Sequence, residues 1–420
     1  MRVRHTLVAA AVAMASLVGF QSISFAGAAS RQGFISGHVR SFGSHHLRIQ
    51  QPPPVQAAPM VNVRDFGATG NGVTDDTAAI QNAINAAHAS GEGVFFPAGT
   101  YLHTNVITAN GVSLVGAGGG STLLANNQNA SAVILTGVSP SIQNLVINSV
   151  PAGANALFFT DPNKASLAVV GGQNFVVQGI TIVQGMGRPG VFLQQSAIGQ
   201  VSSVSFDGSS QNLDVGVIVD GCSNVSIVGN LFQGESTGVQ AGGISNFIPQ
   251  SIAIIGNSVV SSGVGISVTG INIVDVDQNQ IQITLNGNPL SMAGCNNYSI
   301  TRNVTSGGNT GITVTGGGGF SGVISQNVIR NCVQTGAVII TNIGGGGVQF
   351  VGNQFGECGT QSLAAVIDMT PLGGPDSVVL LNNVYQGHQN QLLFFIRSLL
   401  HVNVVSGNAQ TQTALPNSLP

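Results

Sequence analysis

One short phrase recurs along this chain and constrains its fold more than any other feature: alternating apolar residues, an Asn, then another apolar pair. It reads "VSIVGNLF", "IAIIGNSVV", "VDVDQNQIQI", "YSITRNVT", "GVISQNVI", "GVQFVGNQF" and "VVLLNNVY", with asparagines at Asn230, Asn257, Asn279, Asn303, Asn327, Asn353 and Asn383. Successive asparagines are 27, 22, 24, 24, 26 and 30 residues apart. A second phrase, opened by Gly, keeps step: "GVIVDG" from Gly216, "GVQAGG" from Gly238, "GISVTG" from Gly265, "GITVTG" from Gly311 and "GAVIIT" from Gly336. Alternation with many β-branched residues gives strands rather than helices. A period of about 25 residues matches one coil of a solenoid. Three short strands with three turns fill such a coil, and stacked coils pair each strand in parallel with the next about 4.8 Å away. One coil cannot bury its own apolar side chains, so the stack is the core. The usual handedness of parallel crossovers makes the winding right-handed, and a recurring inward Asn forms a column of stacked amides. The expected fold is all-β, a single right-handed parallel β-helix. A β-propeller, the other repeat architecture, needs blades of about 40 to 45 residues.

Composition agrees with a neutral, polar-surfaced β-structure. Only 6% of the 420 residues are charged and 59 are Gly, against roughly 25% charged and 7% Gly in an average chain. Mean hydropathy is +0.34, yet beyond the N-terminus no apolar run reaches the roughly 20 residues of a spanning helix. The start reads as a secretory signal: Arg2, Arg4 and His5, then "LVAAAVAMASLVGF", then "AGA" ending at Ala28. Cleavage there removes two of the 11 Lys+Arg and no acid, leaving 9 against 14. A secreted or periplasmic, mildly acidic chain is a poor partner for nucleic acid. Residues 29–60, with a PPP run and the His45–His46 pair, read as a flexible leader, residues 61–410 as the β-helix domain and 411–420 as a tail.

A solenoid's first coil exposes strand edges and needs a cap. "DDTAAIQNAINAAHAS" supplies a helix at about residues 76–89 with a stripe of Ile80, Ala83, Ile84 and Ala87. Asp75 or Asp76 then accepts the free N–H groups of its first turn, so the paired acids are structural. Here the chain also resembles a known family. "NVRDFGATGNGVTDDTAAIQNAINAA…GVFFPAGTY", residues 62–101, followed by "GVSLVGAGGGSTLL", is similar to the entry segment of the pectate-lyase-like superfamily, in the branch of rhamnogalacturonase-like, epimerase-like, exo-glucanase and tailspike proteins. The resemblance implies a right-handed β-helix acting on extracellular polysaccharide, often acidic, as monomer or trimer. The catalytic segments of polygalacturonases, pectate lyases and mannuronan epimerases do not carry over: the only Asp-Asp is the cap pair, and no Asp-Pro-His-Glu occurs.

Aligning the Gly-opened strands gathers charge on neighbouring coils. Arg188 stands two before Gly190, Asp214 two before Gly216, and Glu235 three before Gly238, with Asp207 and Asp220 close in sequence. The functional reading makes Asp214, Glu235 and Asp207 the acid and base of a lyase or hydrolase, with Arg188, Asp220 and Lys164 holding a uronate substrate. Arg or Ca²⁺ stabilises the charge that develops when a proton leaves beside a carboxylate. The plainer reading is a surface salt bridge between Arg188 and Asp214. An insertion at 151–166 carries Asp161 and Lys164 and interrupts the period. With no Trp and three Tyr, ring stacking on neutral glucans is disfavoured, which leaves a polar or acidic glycan. The rival class is a non-catalytic β-helix that binds glycan or serves in an envelope or matrix. Cys332 and Cys358, each five residues after a repeat Asn, are a candidate disulfide between adjacent coils.

Overall fold

The computed structural model describes residues 59–127, 129–150, 161–184, 187–208, 214–242, 250–318, 321–332, 338–344, 347–356, 358, 367–370, 377–386, 394–396 and 402–411. The signal, almost all of the leader, residues 151–160 of the insertion and most of the tail lie outside them. The described chain is a parallel β-solenoid of three sheets, with 14, 14 and 12 strands. Each repeat visits the sheets in turn: Ser223–Val228 lies in the first, Leu231–Gln233 in the second and Thr237–Ala241 in the third. The Asn phrase is therefore two strands joined by a turn, and the Gly phrase is the third strand.

Inward columns run the length of the stack. Phe206 pairs with Phe232 and Phe232 with Val259 in the second sheet, while Val217, Val239 and Ile266 align in the third. All are buried, and the Phe206 and Phe232 rings stack with centroids 4.6 Å apart. These rings explain the Gly that opens the third-sheet strand. A Cβ on Gly216 would stand 2.4 Å from a Phe232 ring carbon, and one on Gly190 2.7 Å from Phe206. Only a residue without a side chain fits there.

The Asn column is interior. Asn303 shows its bonding: Oδ1 accepts from Asn279 N and Nδ2, both at 2.9 Å, while Nδ2 donates to Val276 O at 2.8 Å and to Asn327 Oδ1 at 3.0 Å. The same pattern links Asn230 through Asn383 and continues to Asn408, which stands outside the repeated phrase. The residue before each Asn is left-handed, with φ 62° at Gly229, 56° at Gln278 and 54° at Arg302. That turn aims the amide inward. Earlier coils keep the turn but place Leu145, Ile180 and Val204 inside, so the ladder begins at Asn230, whose Oδ1 accepts from Val204 N at 2.9 Å.

The helix α1 spans Thr77–Ser90 and buries Ile80, Ala83, Ile84 and Ala87 against the first strands, Met60–Asn62, Gly93–Phe96 and Ile107–Asn110. The acid pair divides its work. Asp75 Oδ1 accepts from Thr77 N at 3.0 Å, the helix-start bond expected. Asp76 makes no cap bond. Its Oδ1 accepts from Thr69 N at 2.7 Å and its Oδ2 from Gly70 N at 3.0 Å, tying the preceding loop to the helix. The pair is structural, but only Asp75 serves the helix end.

Candidate functional site

The candidate acids lie where the second sheet hands the chain to the third. Asp207 ends Ser205–Asp207, Asp214 precedes Val215–Asp220, and Glu235 lies between Leu231–Gln233 and Thr237–Ala241. Strand register carries the sequence alignment into space. Pro189 pairs with Val215 and Val215 with Thr237, so Arg188, Asp214 and Ser236 share a column and Glu235 adjoins it. Asp207 pairs with Gln233, two residues before Glu235. Leu167 pairs with Val191, so Lys164, at the end of the short turn Pro162–Lys164 before that strand, lies one coil before Arg188. Asp220 is not part of the group. It ends the strand that Val215 begins, roughly 20 Å from Asp214 at about 3.3 Å per residue, and its Oδ2 accepts from Gln194 Nε2 at 3.3 Å.

The expectation of an exposed patch is wrong for three of these residues. Arg188, Asp214 and Glu235 are each 0% exposed, whereas Asp207 is exposed and Lys164 half-buried. The surface bridge from Arg188 to Asp214 is absent too; among the described residues the ion pair is Arg302 with Asp277. Arg188 Nη1 donates to Ala130 O at 2.8 Å and Nη2 to Asn127 O. Neighbouring backbones at this corner stand only about 4.8 Å apart, so a long side chain can run along the stack instead of leaving it. Asp214 Oδ1 accepts from Gly187 N at 2.6 Å, and its carbonyl accepts from Ser236 N at 2.8 Å. Arg188 and Asp214 thus fasten this corner to the coils on either side.

Glu235 differs from both. Neither carboxyl oxygen has a partner in good hydrogen-bonding geometry among the described residues, although the backbone amides of Glu235 and Gln233 lie close enough to act on it. Burial, helped by the charges of Asp214 and Asp207 and opposed by the amides of Glu235 and Gln233, pushes its pKa up to about 8. A carboxyl in that state holds its proton at neutral pH and can act as a general acid. Other buried polar atoms at this corner also lack partners: His103 Nε2, Asn127 Oδ1, Gln184 Oε1, Arg188 Nε and Ser261 Oγ. Burial lowers the pKa of the His103 ring, which favours its neutral form. Gln184 escaped the sequence reading although its Nε2 bonds both Arg188 O at 2.9 Å and Val215 O at 3.0 Å. Gln184 belongs to no repeated phrase, and a lone Gln carries no pattern signal.

Among the described residues no group of three or more His, Cys, Asp or Glu is placed to hold a metal ion. Further along the same corner Cys332 and Cys358, on adjacent coils, form a disulfide. Cys222 and Cys295 are buried and free.

A parallel solenoid of three sheets with a buried carboxyl group at one corner is a β-helix. Residues 60–288 match the family model described as rhamnogalacturonase A/epimerase, pectate lyase-like, and the chain belongs to that family. In sequence it is 32% identical over 167 residues to mannuronan C5-epimerase AlgE1 of Azotobacter vinelandii, covering 37% of this chain and 11% of that protein. It is 47% identical over 72 residues to alginate lyase 7 of the same organism, covering 15% of this chain and 8% of that one. The chain thus spans about a tenth of the length of these relatives. In structure it is similar to the A-module of mannuronan C-5 epimerase AlgE6 of Azotobacter vinelandii, with TM-score 0.64 and 18% identity over 84% of this chain and all of that module.

Proposed function

We propose that the chain is an enzyme of acidic polysaccharides that begins by removing the proton beside a uronate carboxylate. The observation that carries this reading is Glu235, a carboxyl held protonated at neutral pH beside Asp214 and Asp207. A carboxyl that keeps its proton, set beside a second acid, offers the acid half of an acid–base pair. The names of the relatives, a mannuronan epimerase and an alginate lyase, support a uronate polymer. Removal of that proton is a step that epimerisation and lyase elimination share. Asp214 takes the proton, and Glu235 gives its own to the leaving oxygen in elimination or to the opposite face of the ring in epimerisation. Hydrolysis by the same pair is the variant in which water attacks instead. Because Asp214 and Glu235 are enclosed in this state, turnover requires the corner to open. The same family reading carries right-handed winding, a capping role for α1 and an exported protein.

The enclosure also favours a second reading, a non-catalytic β-helix whose corner is a buried polar brace. Purified protein incubated with alginate, pectate and neutral glucans separates the two. Unsaturated-uronate absorbance, new reducing ends or exchange of the C5 proton with solvent deuterium on an acidic glycan supports the enzyme. Their absence on every polymer, in a folded preparation, leaves the brace.

A further inference from the structure

We infer that Gln184 is a positioning residue for Asp214: its amide fixes the Gly187 N–H against the carboxylate that takes the substrate's proton. This rests on the reading of the chain as a uronate-glycan enzyme with Asp214 as base. Gln184 follows the second-sheet strand Thr181–Val183, one coil before Asp214. It is 5% exposed, and its donors all go to backbone carbonyls. Its N donates to Asp207 O at 3.0 Å, and its Nε2 to Arg188 O at 2.9 Å and Val215 O at 3.0 Å. What those carbonyls share is Asp214. Asp207 and Val215 are the two ends of the connection between sheets that carries Asp214. Arg188 follows Gly187, whose N donates to Asp214 Oδ1 at 2.6 Å. Gln184 therefore holds the segment bearing the carboxylate on one side and the segment bearing its donor on the other.

An amide suits this place. Its nitrogen carries two N–H donors, here one for the donor's segment and one for the acid's. The reverse orientation would set Oε1 against two carbonyl oxygens, so the amide has one stable setting. On the two coils that carry the acids the same position is Gly208 and Gly234. Neither has a side chain that could reach across. The bond from Gly187 N fixes the direction in which the Asp214 carboxyl group points, and a base works only within hydrogen-bond reach of the proton it takes. Without the Gln184 amide that link between the two segments is lost, and the base can turn from its place. A plain brace behaves differently: removing it lowers stability and leaves the rate of each folded molecule alone.

The test removes the amide and keeps the length of the side chain: Gln184→Met, beside the milder Gln184→Asn, which is one methylene too short to span both carbonyls. Rates are counted per folded molecule of the full-length protein. On the acidic glycan that the wild type turns over, Gln184→Met should lower kcat by roughly 10- to 100-fold with KM unchanged, the cost of a misplaced catalytic group. Gln184→Asn should fall between that variant and the wild type, and it carries the test alone if Gln184→Met does not fold. Backbone amide exchange at Gly187, read by NMR on protein made with isotope-labelled glycine, is a readout apart from activity and should be faster in both variants. A kcat that matches the wild type in the folded variants overturns the role and leaves the enzyme reading standing. So does a rise in KM alone, or a Gly187 amide as protected as before. If the wild type turns over no acidic glycan, the enzyme reading falls and takes the positioning role with it; faster exchange at Gly187 then marks Gln184 as part of the brace.

Discussion

Two corners of this solenoid bury polar side chains, and they do it in opposite ways. Between the first and second sheets, eight asparagines from Asn230 to Asn408 stand in one column, with neighbouring amides bonded from coil to coil. Between the second and third sheets, His103, Asn127, Gln184, Arg188, Glu235 and Ser261 are buried in no common register, and each has an atom without a partner. A buried polar group left unpaired costs about 1 to 3 kcal/mol. Repetition keeps that cost low along the Asn ladder itself, although Ser202 Oγ and Gln354 Oε1 beside it lack partners. At the second, unmade bonds persist over successive coils, as they commonly do where structure is subordinate to chemistry. A repeated, paired ladder marks a scaffold, and the concentration of unpaired polar atoms around Glu235 marks a candidate site.

The sharpest way to break this comparison is at Glu235. If the second corner is a site, Glu235→Gln should lower turnover of an acidic glycan by roughly 100- to 10,000-fold, the range for losing a general acid. The same variant should melt no earlier than the wild type, because an amide occupies the place without a charge to bury. Asp214→Asn should also abolish turnover, but with some loss of stability, since Oδ1 holds Gly187 N. A Glu235→Gln protein that retains full activity would turn the second corner into a second scaffold.

The first corner predicts the opposite behaviour. Asn303→Leu removes both the Oδ1 acceptor of Asn279 and the Nδ2 donor to Val276 O and Asn327 Oδ1. The expected loss is about 3 to 5 kcal/mol in chemical denaturation, from several stranded groups at about 1 to 3 kcal/mol each. Asn408→Leu should cost less, because Asn408 has ladder bonds in one direction only among the described residues. Equal losses at the two positions would mean that the column does not act as a ladder.

The difference between the corners also explains what was legible in the sequence. The ladder could be read because it repeats: one Asn per coil at nearly constant spacing, preceded by Gly or another residue in the left-handed region. The Gly-opened strand repeats for an equally simple reason, the ring or branched side chain it must accommodate at Gly190, Gly216, Gly238 and Gly265. The register that aligned Arg188, Asp214 and Glu235 follows from that Gly. Burial did not follow, because direction along or away from the stack depends on neighbouring backbones rather than on residue type. Arg188 looked like a surface cation and is a strut. Asp220 looked close in sequence and lies at the other end of its strand. Asp76 looked like a helix cap and ties down Thr69 and Gly70.

Further along the second corner, Cys332 and Cys358 provide an internal control. They follow the second-sheet strands Val328–Arg330 and Gln354–Gly356, so the corner that is open in hydrogen bonding near Glu235 is tied by sulfur here. Closing a loop of 26 residues stabilises by about 3 kcal/mol in the chain-entropy account. Cys332→Ser with Cys358→Ser should therefore lower stability by about that amount while leaving activity per folded molecule unchanged. Mass spectrometry without reductant, reading the two peptides as linked or separate, settles whether the bond is formed in solution.

The smallest expected effect carries the comparison over to the acids alone, through pH. Asp75 is fully partnered: its oxygens accept from Thr104 Oγ1 at 2.6 Å and from Thr77 N at 3.0 Å. The Thr104 and Thr77 hydroxyls, in that order, lower its pKa to about 2. A depressed carboxylate contributes stability above its unfolded value of 3.8 and loses it as pH falls through about 2. Because Asp75 is exposed, that contribution is small, about 1 kcal/mol or less. Glu235 has the opposite sign. Its raised pKa means that the folded state prefers the protonated form, so stability from this group is full below 4.5 and is lost as pH rises through about 8. Melting temperature against pH should therefore fall at both ends for two separable reasons. Asp75→Asn should flatten only the acid limb, between about pH 4 and 2, and Glu235→Gln only the limb between about 4.5 and 8. A Glu235→Gln curve that still falls across neutral pH like the wild type would mean the carboxyl is paired in solution, and the second corner would then be as complete as the first.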